Sequence, residues 1–136
     1  MTAAHPNAFP RSATVQGNGA FTRIMNYRVR EARGPFVGHA APNGQAQWRI
    51  GISIGRRVGN AVTRNKIKRR LRESFRLSRS DWPGGFDLIL IVRPHEPLNR
   101  VEYTRLLDQI SPRLAAKWDK TGIGADRPVR QGQTKL

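Results

Sequence analysis

Residues 47–77 read QWRIGISIGRRVGNAVTRNKIKRRLRESFRL, and this stretch decides the fold. Its first part, Gln47 to Ile54, alternates. Trp48, Ile50, Ile52 and Ile54 point one way, and Arg49, Gly51 and Ser53 point the other, as in a half-buried strand. The first set should face a core. The second is small apart from Arg49 and leaves an open, shallow surface. Gly55 to Gly59 is a basic turn. From Asn60 to Leu77 the period changes: Ile67, Leu71 and Phe75 recur at helical spacing, a narrow core stripe. A strand followed by a helix then needs a second strand to cover.

That partner is Phe86 to Val92, an almost continuous apolar run suited to a strand covered on both faces. The helix between the two strands implies a crossover connection. Upstream, Asn18 can cap a helix expected over Ala20–Ala32, with Phe21, Ile24 and Met25 on one face. Gly34-Pro35 breaks it. Phe36 to Ala41 is a short apolar strand, and Pro42-Asn43-Gly44 is a turn signal. A last helix is expected from Asn99 to Trp118, carrying Tyr103, Leu107, Ile110 and Leu114. Pro112 should kink or split it, at ~3 kcal/mol if interior. The order is α, β, β, α, β, α, with room for one more strand, in an α/β sandwich. Residues 1–16 read as a flexible arm, 17–120 as the folded domain, and 121–136 as a disordered basic tail.

Charge dominates the composition. Among 136 residues, 25 Lys and Arg face nine Asp and Glu, for a net charge of +16. A compact domain so charged repels itself, and a polyphosphate is the natural counterion. There is no basic amphipathic helix with a Trp or Leu face for a membrane surface, and no apolar run near the ~18 residues of a spanning helix. There are no cysteines, which excludes disulfides, thiol catalysis and Cys-based zinc sites. The N-terminus lacks the apolar segment of a secretory signal, so the cytoplasm is the expected location.

The charge is concentrated. Between Arg56 and Arg79 stand ten Lys or Arg and one acid, Glu73, so this segment supplies nine of the net sixteen charges. A salt-bridged surface helix would interleave acids. Arg64, Lys66 and Lys68 also fall in the helix's first half, where positive charge opposes the helix dipole by a few tenths of a kcal/mol or more. A docked phosphate backbone would offset that cost. Arg forks onto phosphate or stacks on a base, and Asn60 and Asn65 can bond a base edge or a 2′-hydroxyl. Asn60 can equally be a helix cap.

The run Arg57-Val58-Gly59-Asn60-Ala61-Val62-Thr63-Arg64-Asn65-Lys66-Ile67-Lys68-Arg69-Arg70-Leu71-Arg72 resembles the signature of the bacterial ribonuclease P protein component, whose RNR motif follows a Gly-Asn-Ala-Val stretch. A weaker resemblance runs from about Phe21 to Trp118. It implies an α-β-β-β-α-β-α two-layer (α+β) sandwich with a left-handed crossover around the basic helix. It implies two RNA surfaces. The helix and the turn before it, with Arg56, Arg57, Asn60, Arg64, Asn65, Lys66, Lys68, Arg69, Arg72 and Arg76, would meet the catalytic RNA. A cleft holding Phe21, Met25, Val37, His39 and Ser53 would take the 5′ leader of precursor tRNA. The resemblance places the chemistry in Mg²⁺ held mainly by the RNA, and the product would be the mature tRNA 5′ end. Lys66 stands where the family usually has Arg, and Met25 and His39 where aromatics are common. Phe21 and Met25 serve equally well as plain core residues.

Nothing in the sequence builds a protein active site. His5, His39 and His95 have no evident nucleophile partner, and no two acids form a tight metal-binding pair on one element. The competing readings are a structural RNA binder of the ribosomal kind, a protein-only nuclease and a DNA binder. They separate by leader dependence, by cleavage without RNA and by affinity for duplex DNA.

Overall fold

The computed structural model describes residues 13–15 and 18–121. The chain forms α1 (Asn18–Asn26), β1 (Arg30–Arg33), β2 (Phe36–Pro42), β3 (Arg49–Ile54), α2 (Ala61–Ser78), β4 (Phe86–Val92) and α3 (Arg100–Thr121), with short 3₁₀ turns on either side of α2. The four strands lie in the order β1-β2-β4-β3. β1 pairs with β2 and β2 with β4 antiparallel, while β3 and β4 run parallel, joined through α2.

The two faces of the sheet follow from the register. Ile50, Ile52 and Ile54 lie level with Leu88, Leu90 and Val92, and these with Ala40, Gly38 and Phe36. This face carries α2 and α3. A Cβ on Gly38 would meet Ile110 and Leu114 of α3, and Trp48 meets Trp82 edge-to-face and Phe86 at a tilt, with Phe75 of α2 against Trp82. The sheet and these two helices make the main two-layer sandwich. The opposite face carries Arg49, Gly51 and Ser53 beside Asp87, Ile89 and Ile91. There α1 lies across it: a Cβ on Gly51 would strike the Phe21 ring at 2.8 Å, so the bare backbone is what lets the helix seat.

Three expectations need correction. The first helix ends at Asn26, not Ala32, and Asn18 lies inside its first turn. Arg28 at φ 64° turns the chain out of the helix, and Arg30–Arg33 becomes β1. These residues have no strand signal of their own. They extend because the edge of β2 offers a ladder across the Gly34-Pro35 turn, and because Glu31 reaches Lys117 of α3 at 3.0 Å. The last helix is not split: α3 runs through Pro112. Tyr103, Leu107, Ile110, Leu114 and Trp118, all fully or almost fully buried, anchor it on both sides of the proline and outweigh the lost backbone bond. Finally, within the expected N-terminal arm, Ala13 and Val15 are buried, and the Val15 amide donates to the Ile50 carbonyl at 2.9 Å, along the free edge of β3. The rest of the arm, and all of 122–136, lie outside the described residues.

Candidate nucleic-acid interface

The basic helix begins where the sequence placed it. Asn60 is the N-cap, its Oδ1 accepting from the Thr63 amide at 2.9 Å. Of its two open readings, the cap is the one the geometry fills. Replacing Asn60 with alanine is expected to cost about 1 kcal/mol of stability, read from the urea midpoint. An unchanged midpoint would mean that the first turn is held by other contacts.

The ten cations of 56–79 divide by what they touch. Arg70 donates to the Leu98 carbonyl at 2.7 Å and Arg79 to the Trp48 carbonyl at 2.8 Å, so both latch α2 to its neighbours. Arg64 turns back onto the Gly59 carbonyl at 2.9 Å. Arg76 forks onto Glu73, whose carboxyl is held below its ordinary range by that bond. The other six, Arg56, Arg57, Lys66, Lys68, Arg69 and Arg72, have no protein partner among the described residues. Asn65, Arg69, Arg72 and Arg76 recur at helical spacing and form one stripe turned away from the core residues Ile67, Leu71 and Phe75. Lys66 falls apart from them, on the flank shared with Arg70. Sequence reasoning had no means to separate the latching arginines from the free ones, because the carbonyls they meet lie far away in the chain.

The cleft residues assemble on the α1 face. Across the sheet, Val37, Ile91 and Ser53 lie level in one row, and His39, Ile89 and Gly51 in the next. Phe21 covers Gly51, and both Phe21 and Met25 are only partly buried against the core. Val37 is buried but stands outside the continuous apolar core. Ser53 is exposed. The candidate groove therefore has α1 as one wall and takes its accessible surface from Phe21, Met25, Ile91 and Ser53, while Val37, His39, Gly51 and Ile89 beneath are covered. Of the two roles open to Phe21, core packing and contact with a ligand, its half-burial permits both.

His39 lies at 7% exposure beneath the groove, and its Nδ1 has no hydrogen-bond partner among the described residues. Burial, and then the charge of the cross-strand neighbour Arg30, push it below the usual histidine range. The unfolded chain therefore takes up the proton first as pH falls. The contribution of His39 to stability is full above its ordinary value and is lost as pH drops through the folded one. Between about pH 8 and about pH 5, urea stability should fall less in His39→Phe than in the native chain. Parallel curves would acquit His39.

Sequence reasoning also missed Asp87, a charge inside an apolar strand. It is fully buried, and accepts from both Arg49 Nε (2.7 Å) and Nη2 (2.6 Å), from Asn43 Nδ2 (3.0 Å) and from Arg23 Nη2 (3.3 Å). The signal was the unpaired Arg49 on the open face of its strand. Among the described residues, no three His, Asp or Glu side chains come together as a metal site, and no helix is long and apolar enough to cross a membrane.

A helix stripe presenting Arg69 and Arg72 without protein partners among the described residues on one side of a small sheet, and the partly apolar α1 face on the other, suit a scaffold that docks polyanions. Comparison with known proteins narrows this. The family model for Ribonuclease P matches residues 9–116, and the chain belongs to that family. It is 40% identical to the ribonuclease P protein component of Brevibacillus brevis over 62% of this chain and 68% of that one. It is 30% identical to that of Dictyoglomus thermophilum over 85% and 92%. Among solved structures it resembles the RNase P protein of Thermotoga maritima, at TM-score 0.66 and 28% identity, covering 74% of this chain and 96% of that one. A Staphylococcus aureus RNase P protein mutant with defective mRNA degradation activity matches at TM-score 0.64 and 30% identity, over 78% and 90%. The α-β-β-β-α-β-α order is shared with this family.

Proposed function

We propose that this chain is the protein subunit of a bacterial ribonuclease P in the cytoplasm, binding the catalytic RNA through the α2 stripe and the 5′ leader of precursor tRNA in the α1 groove. The observation that carries this is the set of six cations with no protein partner among the described residues, two in the turn before α2 and four on α2 itself, a helix whose first half is electrostatically unfavourable in the free protein. RNA phosphates supply the missing counter-charge. Chemistry belongs to Mg²⁺ on the RNA. The protein screens phosphate repulsion and holds the leader, which supports metal binding by the RNA at physiological salt.

The groove makes a specific prediction. Phe21→Ala should weaken binding of precursor tRNA and leave mature tRNA unaffected, by about 1–3 kcal/mol if the ring stacks on a base. A variant that instead loses its cooperative unfolding transition would assign Phe21 to the core alone. The whole reading is tested by cleavage of a precursor tRNA at low Mg²⁺ with a bacterial ribonuclease P RNA, with and without this protein. Strong stimulation, cutting at the mature 5′ end and no cutting by protein alone are expected. No stimulation, with tight binding to other structured RNA, would make the chain a structural RNA binder. Cutting by the purified protein alone would make it a nuclease in its own right.

A further inference from the structure

The row of Gly51, Ile89 and His39 is covered, with Phe21 of α1 lying over Gly51. One row further along the same face lie Arg49, Asp87 and Ala41, and here two guanidinium groups meet one carboxylate. Arg49 makes the short, forked bond to Asp87, and its side chain is 28% exposed. That pair is electrically complete. Arg23, on α1, adds a second cation through a single bond of 3.3 Å to Asp87 Oδ2, with its side chain 43% exposed and no other protein partner among the described residues. The cluster therefore carries one net positive charge beyond what the buried carboxylate needs. In a chain already at +16 such a surplus is repulsive. It is also held in place: a guanidinium already tethered at one nitrogen loses less freedom when the others grip an anion.

We infer that Arg23, backed by Arg49 on the Asp87 carboxylate, is a phosphodiester site for the single-stranded leader, beyond the groove surface of Phe21 and Ser53. This rests on the leader reading above and extends it. Arg49 stands four residues before Ser53 on β3, roughly 13 Å along the strand. A leader reaching both places is longer than one that covers only the groove surface. Phe21 and Ser53 meet bases and the far cluster meets backbone, so the second contact is indifferent to sequence.

The test uses the reconstituted RNA–protein enzyme and precursor tRNAs whose leaders lengthen one nucleotide at a time. With the native protein, affinity should rise with leader length in two stages. Arg23→Gln should remove the later stage, a loss on the order of 10-fold near 0.1 M salt, and lower the salt slope by about one. It should leave leaderless tRNA and the shortest leaders unchanged. Arg23→Lys should keep the slope and recover part of the affinity. Equal weakening for leaderless and long-leader substrates, or no weakening at all, would overturn the site while leaving the groove standing. Absence of any leader-length dependence in the native protein would overturn the groove and the site together.

Discussion

Replacing Asp87 with alanine is expected to destabilise the fold by roughly 3 kcal/mol, the lower end of the range for breaking a buried ion pair. The lower end applies because Arg49 and Arg23 both reach water and can rehydrate. The carboxylate itself is fully buried and accepts four bonds from three side chains. Removing it frees the two arginines to repel each other across the seam between α1 and β3, and releases Asn43 in the β2–β3 turn. Against a typical total of about 5–15 kcal/mol, that loss is large. Urea unfolding reads it as a fall in midpoint at constant slope. A loss below about 1 kcal/mol would mean that water already solvates the carboxylate.

The largest effect on function should come from the double substitution Arg69→Ala with Arg72→Ala. Both side chains are free of protein partners among the described residues and lie on the outer stripe of α2. Removing one phosphate-binding cation lowers the salt slope by about one. Near 0.1 M salt that amounts to about 10-fold per cation, so the pair should weaken association with the catalytic RNA roughly 100-fold. The thermal midpoint should not fall, since removing like charges from a cationic surface relieves repulsion. The contrasting pair, Arg70→Ala with Arg79→Ala, should lose stability first, because each of these arginines anchors α2 to a distant carbonyl. Equal RNA affinity for the native protein and the Arg69/Arg72 variant, with an unchanged slope, would remove this stripe from the interface.

The parts of the fold legible in the sequence are those where local pattern and tertiary packing agree. β3 alternates because one of its faces is core, α2 carries its own cap and a clean apolar stripe, and β4 is apolar because it is central. The parts that were not legible are those decided at a distance. β1 is built of Arg30, Glu31, Ala32 and Arg33, good helix formers that become a strand only because β2 has a vacant edge. Pro112 would break an isolated helix, yet α3 is clamped by buried side chains on both sides of it. The site divides in the same way. The density of positive charge was plain, but which arginines serve the protein depended on the carbonyls of Trp48 and Leu98. Asp87 looked like an interruption in an apolar run until Arg49 and Arg23 arrived from other elements.

The strand order also constrains how the chain reaches its final state. β2 and β3 are joined by six residues, 43–48, a link short enough for the two strands to meet as a hairpin. They are nevertheless not neighbours: β4, which follows the whole of α2, lies between them. As the chain leaves the ribosome, β2 and β3 are available to each other before β4 exists. A hairpin formed at that stage is non-native and must open to admit β4. Time is then the variable that matters. β4 is the last strand to be made, its pairing with β2 spans the longest loop of the sheet, and closing that loop is the expected slow step of folding. The Asn43 side chain, which bonds Asp87 of β4 and the Gln47 carbonyl of its own turn, rewards the opened arrangement only once that strand has arrived.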